Sequence, residues 1–170
     1  MTRRRAIWLL PFVLALHNLE EGVFFPRYMP RVLGRLPAGV RDWIGPVSLR
    51  EMGVALVLAT AIPLAISVWA AARPASGTAL WLVLAMWATL LLNAAWHVTA
   101  ALVLFRGYAP GVGTAVALNL PLSVLVLRRA VTEQWLSRRA RWALLPAAVA
   151  FHLPGALGVM VLSRALSASS

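Results

Sequence analysis

The stretch AIWLLPFVLALHNLEEGVFF (residues 6–25) is an apolar run that carries three ionisable side chains, His17, Glu20 and Glu21, close to its end. About 20 apolar residues are enough for a helix to cross the ~30 Å hydrocarbon core of a bilayer. An ionisable side chain inside that core is costly, so such residues usually face a partner and mark a functional site. The stretch therefore predicts a membrane helix with a functional cluster.

The spacing of these three side chains places them within one helical turn. Each residue of an α-helix turns about 100°, so Glu20 and Glu21 lie on either side of the line through His17. One carboxylate is placed to share a ligand with the imidazole. The other lies beside it, placed to act as a base or to orient the site. The pattern leaves open which carboxylate has which role.

The composition indicates a membrane protein. The chain has 170 residues, of which 61% are hydrophobic and 12% charged, whereas a soluble domain has about 25% charged residues. It has no cysteine, which excludes disulfides and thiol chemistry. The basic residues are all arginine and lie mainly between apolar runs, which is typical of membrane anchoring and not of a nucleic-acid interface.

The apolar runs predict an all-α fold, a polytopic transmembrane bundle of about five helices. We expect one integral membrane domain, 1–170, with spans at approximately 6–25, 51–72, 79–105, 109–127 and 142–162. Four prolines and regularly spaced arginines between residues 26 and 50 favour an interfacial loop there. The lysine-free, Ala- and Arg-rich composition favours a bacterial source. Arginine placement predicts a multi-pass protein of the inner (cytoplasmic) membrane with a cytoplasmic N-terminus.

The alternation of spans brings the histidines to one depth. Spans one, three and five run in the same direction, and at 1.5 Å per residue His17, His97 and His152 lie roughly 12 to 15 Å from the far ends of their spans. Glu51 opens the second span on the same side. Asn93 lies one turn from His97, placed to orient a ligand or a substrate. This common depth of the three histidines predicts a site in one half of the bilayer.

Four segments of the chain resemble a known family. They are HNLEE (17–21) with the aromatic and Pro-Arg stretch that follows it, NAAWH (93–97), YAPGVGTA (108–115) and NLPL (119–122). This set resembles the HXXEE family of small bacterial membrane proteins. The resemblance implies a membrane enzyme of unspecified reaction whose motif residues are here His17, Glu20, Glu21 and His97, with Glu51 as a counterpart of a further acidic position. His152 lies outside the resemblance.

The leading hypothesis is a metal-dependent membrane hydrolase that acts on a lipid or a lipid-linked substrate. His17, His97 and one of Glu20 or Glu21 would bind the metal, most simply zinc, with His152 or Glu51 completing the ligand set. The other glutamate would take a proton from water. Asn93 and Tyr108 would stabilise the developing oxyanion.

Two alternatives remain open from the residues alone. Two histidines and a carboxylate also bind iron, so a non-haem iron oxidoreductase or a lipid isomerase fits the same cluster. A proton- or metal-coupled transporter, or a lipid-binding membrane protein, also uses buried His and Glu. The absence of a paired repeat and the confinement of the cluster to one half of the bilayer count against a transporter. The oligomeric state is left open.

Overall fold

The computed structural model describes residues 1–35 and 38–168, and the described residues form helices without any strand. The helices are α1 (Arg3–Arg35), α2 (Ala38–Ile44), α3 (Leu49–Ala72), α4 (Gly77–Phe105), α5 (Val112–Thr132) and α6 (Arg138–Ala168). Within the described ranges, five of them, all except α2, are long and apolar enough to cross a membrane. The predicted all-α bundle of about five spans is therefore confirmed.

Helix α4 forms the centre of the bundle and contacts α1, α3, α5 and α6. Its Trp87 is fully buried and donates its indole N–H to the carbonyl of Ala6 in α1 at 2.9 Å. Leu10 of α1 and Val126 of α5 belong to the same apolar core. This core occupies the half of the bundle that contains the N-terminal part of α1, which leaves the opposite half for polar groups.

The first helix is longer than the sequence predicts. Its expected end was Phe25, but α1 continues through Pro26 and Pro30 to Arg35, so the prediction of a loop from residue 26 is wrong for this part. A proline removes one N–H donor and crowds the carbonyl four residues earlier, yet helices that pack on others in a membrane tolerate it. Here α3 packs along α1. Residues 36 and 37 of the predicted loop lie outside the described residues.

Two π-helical segments flank the loop between α4 and α5. Helix α4 ends in the segment Ala100–Phe105, and α5 contains the segment Ala115–Asn119. Pro121 follows the second segment closely, and its ring crowds the turn before it, which explains the wider turn there. The loop itself turns back through two residues of positive φ, Arg106 (50°) and Gly111 (83°). It thereby brings the start of α5 over the polar half of α1.

Candidate metal centre

Three side chains from two helices converge in the polar half of the bundle. His17 and Glu21 come from α1 and His97 from α4, and their potential ligand atoms all lie within 4.8 Å of one another. The Nε2 atom of His97 lies 3.3 Å from Oε1 of Glu21, and Nε2 of His17 lies 3.9 Å from the same oxygen. The two imidazoles meet edge to face with ring centroids 4.8 Å apart. Together these three side chains could hold a metal ion, since imidazole and carboxylate are common metal ligands.

His17 carries an unpaired nitrogen in this group. Its side chain is 2% exposed, and its Nε2 atom has no hydrogen-bond partner among the described residues. Leaving a buried polar atom unpaired costs about 1–3 kcal/mol. A cation held by Nε2 of His17 together with His97 and the Glu21 carboxylate would remove this cost. The orphaned atom therefore fits the metal that the sequence predicts.

The structure places Glu20 outside this group of three. Its carboxylate accepts four hydrogen bonds from the segment between residues 108 and 114: Tyr108 Oη at 2.6 Å, Gly113 N at 3.0 Å, and Thr114 N and Oγ1, both at 2.6 Å. These contacts join α1 to the start of α5. The residue with ligand geometry is thus Glu21, while Glu20 holds the loop against α1.

The hydroxyl of Tyr108 is likewise occupied by Glu20. Burial, and then the hydrogen bond to the Glu20 carboxylate and its negative charge, raise the pKa of this phenol above its ordinary value. The phenol proton thus points to Glu20. We expected Tyr108 to stabilise a developing oxyanion, but in this structure its hydroxyl donates to Glu20 instead.

Two glycines allow the loop to approach the site closely. A Cβ atom on Gly111 would lie 2.7 Å from Cε1 of His97 and 2.8 Å from Cε1 of His17, and one on Gly113 would lie 3.0 Å from Oε1 of Glu20. Thr114 Oγ1 also lies 2.9 Å from Nδ1 of His17. Sequence reasoning assigned no role to Gly111, Gly113 or Thr114. The sequence did point to these residues indirectly, because the segment 108–115 that contains them resembles the HXXEE family.

Asn93 and His152 lie close to the centre without belonging to the group of three. The amide nitrogen of Asn93 is 3.3 Å from Nε2 of His97, in agreement with the predicted one-turn spacing. His152 is partly exposed and ends the segment Leu144–His152 of α6. Its segment of α6 packs against α4, which carries His97. Both residues are therefore neighbours of the site.

Glu51 is occupied at the start of α3. Its carboxylate accepts a hydrogen bond from the backbone N–H of Ser48 at 2.9 Å, which forms a capping box, and lies 4.0 Å from Nε of Arg164. A capping box satisfies two N–H groups at a helix start. Glu51 therefore does not join the group of three, and its predicted place in the ligand set is not supported by this geometry.

An apolar cavity adjoins Glu21 between α1 and α3. It has a volume of about 160 Å³ and is lined by Glu21, Phe25, Met52, Ala55 and Leu56. A larger cavity of about 360 Å³ lies further along the same two helices and shares Met52 with the first. The approach to the carboxylate from this side is therefore hydrophobic.

Comparisons with known proteins identify the family. Residues 8–126 match the family described as "Protein of unknown function with HXXEE motif". The chain is also 26% identical over 116 residues to the "Uncharacterized protein YrkK" of Bacillus subtilis (strain 168), which covers 68% of each chain. No solved structure matches. The matched residues include the motif from His17 to Glu21, and the chain belongs to the HXXEE family.

Proposed function

We propose that this protein is a metal-dependent enzyme embedded in the bacterial inner membrane, and that it hydrolyses a lipid or a lipid-linked substrate. The observation that carries the proposal is the buried Nε2 of His17, which lies beside His97 and Glu21 and accepts or donates no hydrogen bond within residues 1–35 and 38–168. Two histidines and one glutamate are the protein ligands of several catalytic zinc sites, in which the fourth position is left for water or substrate.

The residues around the cluster are assigned to proton transfer and to substrate orientation. When bound, a zinc ion would activate water and polarise a substrate carbonyl. Glu20 is held by four donors and is poorly placed to take a proton, so we assign proton transfer to His152, the neighbouring imidazole. The amide of Asn93, next to His97, would orient the substrate and stabilise negative charge on its oxygen.

The surroundings of Glu21 support an apolar substrate. The cavity beside it is lined by Phe25, Met52, Ala55 and Leu56, and α1 and α3 both have the length and composition of membrane spans. Such an apolar lining accepts hydrocarbon at little cost. We therefore propose that the acyl part of the substrate enters between α1 and α3 and that its polar bond reaches Glu21.

A second function rests on the same donor set. Two histidines and one carboxylate form the usual facial triad of non-haem iron enzymes, so an iron-dependent lipid oxidoreductase or isomerase is the runner-up. A coupled transporter gains less support, because the group of three ligands lies at one end of the bundle, beyond the apolar core.

Metal content distinguishes these proposals. The full-length protein is purified in detergent without chelator, and bound metals are measured by elemental mass spectrometry for the wild type, Glu21→Gln, His97→Ala and the control His152→Ala. We expect about one metal per chain in the wild type and the control, and its loss from the other two. Zinc supports the hydrolase, and fatty-acid release from lipid esters should then be abolished in Glu21→Gln. Iron supports the oxidoreductase.

Two outcomes would overturn the metal site. One is wild-type protein without metal, which would leave His17, Glu21 and His97 as a metal-free cluster. The other is full metal retention in His97→Ala, because the two-helix site would then be wrong.

A further inference from the structure

We propose that Glu20 and Thr114 are positioning residues that hold His17 in one tautomer, with the proton on Nδ1 and the lone pair of Nε2 directed toward Glu21 and His97. The purpose of that lone pair, to bind a cation, rests on the proposed function. The tautomer itself does not, because it follows from hydrogen bonds within the chain.

The hydroxyl of Thr114 determines where the proton lies. Its Oγ1 atom is 2.6 Å from Oε2 of Glu20, 2.9 Å from Nδ1 of His17 and 3.3 Å from the carbonyl oxygen of Gly111. A hydroxyl has one proton to donate, and an ionised carboxylate only accepts. The short contact assigns that proton to Glu20, since hydrogen bonds to a charged acceptor are the shorter and stronger ones. Oγ1 then accepts from Nδ1–H of His17.

Backbone and side-chain donors fix Glu20 in the orientation that this requires. Gly113 N and Tyr108 Oη bind one carboxylate oxygen, and Thr114 N binds the other, which is also the acceptor of the Thr114 hydroxyl. With all four contacts made, the carboxylate has little freedom to turn. The result is a chain from carboxylate to hydroxyl to imidazole, which resembles the carboxylate–histidine pairs that orient metal ligands in proteins.

The same loop holds the ring itself. Gly111 approaches so closely that a Cβ atom there would lie 2.8 Å from Cε1 of His17, the carbon between the two ring nitrogens. The imidazole is thus in contact with backbone at Cε1 and with Thr114 at Nδ1. Its remaining nitrogen, Nε2, is buried and has no hydrogen-bond partner in the part of the chain that the structure describes. One short segment of α5 and its preceding loop therefore sets both the orientation and the tautomer of His17.

Nitrogen NMR of histidine tests this proposal in metal-free, full-length protein. The chain has three histidines, so ¹⁵N-histidine signals can be assigned with single His→Gln variants. We expect His17 to be protonated at Nδ1 in the wild type. Thr114→Val removes the hydroxyl at nearly constant shape and should give a mixture of tautomers, whereas Thr114→Ser should restore the wild-type signal.

Two further variants complete the design. Thr99→Val is the matched control, because the hydroxyl of Thr99 donates to the carbonyl of Ala95 in its own helix, and it should leave the His17 signal unchanged. Glu20→Gln replaces one carboxylate oxygen with an NH2 group, which cannot accept from the backbone N–H of Gly113 or Thr114 in either orientation of the amide. The hold on the Thr114 hydroxyl is thereby weakened, and the His17 signal should become a mixture of tautomers.

The outcomes separate this proposal from the proposed function. An Nε2–H tautomer in the wild type, or an unchanged signal in both Thr114→Val and Glu20→Gln, would overturn the positioning role. In protein that binds zinc, Thr114→Val should weaken the affinity about 10–100-fold, measured by chelator competition, while Thr114→Ser should not. A wild type without metal that still shows the Nδ1–H tautomer would refute the metal site and leave the positioning role supported.

Discussion

Gly111 packs closely against the imidazole rings of both His17 and His97. Its φ of 83° is in the left-handed region, and a Cβ atom would lie 2.7 Å from His97 and 2.8 Å from His17. We expect Gly111→Ala to cost about 1–3 kcal/mol through backbone strain alone and to displace both rings. The variant should therefore lose metal and unfold at lower temperature, as measured by elemental analysis and thermal unfolding in detergent.

The matched control for this change is Gly107→Ala. Gly107 lies in the same loop, and a Cβ atom there would meet only the carbonyl of Phe105 at 3.9 Å. Gly107→Ala should keep both metal and stability. Equal behaviour of the two variants would show that the close approach of Gly111 has no part in holding the histidines.

Tyr108 gives a prediction for alkaline pH. Its phenol pKa is raised by burial and by Glu20, so in a Tyr28→Phe background its ultraviolet titration should lie above the ordinary value of about 10. Because the pKa is higher in the folded state, the phenol contributes stability below pH ~10, and this stability is lost as the pH rises through the folded pKa. Glu20→Gln should move the titration back toward 10. Titration of Tyr108 at the ordinary value in the wild type would contradict the contact with Glu20.

Sequence reasoning found the ionisable cluster but could not separate its two glutamates. Glu20 and Glu21 differ by about 100° around α1, and both lie within one turn of His17. The distinction depends on what packs against each side: His97 lies beside Glu21, and the loop before α5 lies over Glu20. Packing between segments distant in the sequence is not encoded in the local spacing, so the roles became visible only in the fold.

At the scale of elements, the motif HNLEE joins three helices to α1. His17 and Glu21 meet α4 through His97, and Glu20 meets the loop and start of α5. Asn18 donates to Oγ1 of Thr60 in α3 at 2.7 Å. Such polar contacts between helices contribute about 0.6 kcal/mol on average in a membrane. The motif therefore acts in assembly as well as in the proposed chemistry, and its polar side chains together reach α3, α4 and the start of α5.

The gap between α1 and α3 supplies a prediction about substrate entry. Ala55→Trp should fill the cavity beside Glu21, and it leaves His17, Glu21 and His97 themselves unchanged. We expect this variant to keep its metal and to lose most crosslinking to a photoactivatable fatty acid in detergent micelles. Val57→Trp is the control, because Val57 is 66% exposed on the same helix. Equal crosslinking of Ala55→Trp and the control would exclude this cavity as the acyl site.

The sequence predicted the five long helices well, but it predicted where they end less accurately. Composition and apolar runs predicted the five long helices, because about 20 apolar residues leave few alternatives to a membrane span. The predicted end of α1 was wrong because Pro26 and Pro30 were treated as breaks, whereas the helix continues through both prolines and packs along α3. The position of the π segment Ala115–Asn119 was also outside what periodicity can show, since it depends on one wider turn.

The whole molecule has two unlike halves. The apolar core around Trp87 and Leu10 occupies one half, and the cluster of His17, Glu21 and His97 occupies the other. Large apolar side chains such as Leu102 are exposed on the outer surface of the bundle, as expected for helices that face hydrocarbon. A polar site at one end of an apolar bundle can be reached from one side of the membrane or laterally between helices. The orientation of the chain therefore decides from which side of the membrane a polar substrate can enter.

Orientation is testable because the chain has no cysteine. With a cytoplasmic N-terminus, the turn between α3 and α4 faces the cytoplasm and the loop between α4 and α5, next to the site, faces outward. Ala75 and Gly107 are exposed residues of these two loops. In intact bacterial cells, a membrane-impermeant maleimide should label Gly107→Cys and leave Ala75→Cys unlabelled until the cells are lysed. The reverse pattern would place the N-terminus outside and the half of the bundle with His17, Glu21 and His97 on the cytoplasmic side. Labelling of both in intact cells would contradict the five-span arrangement, because these loops flank a single span.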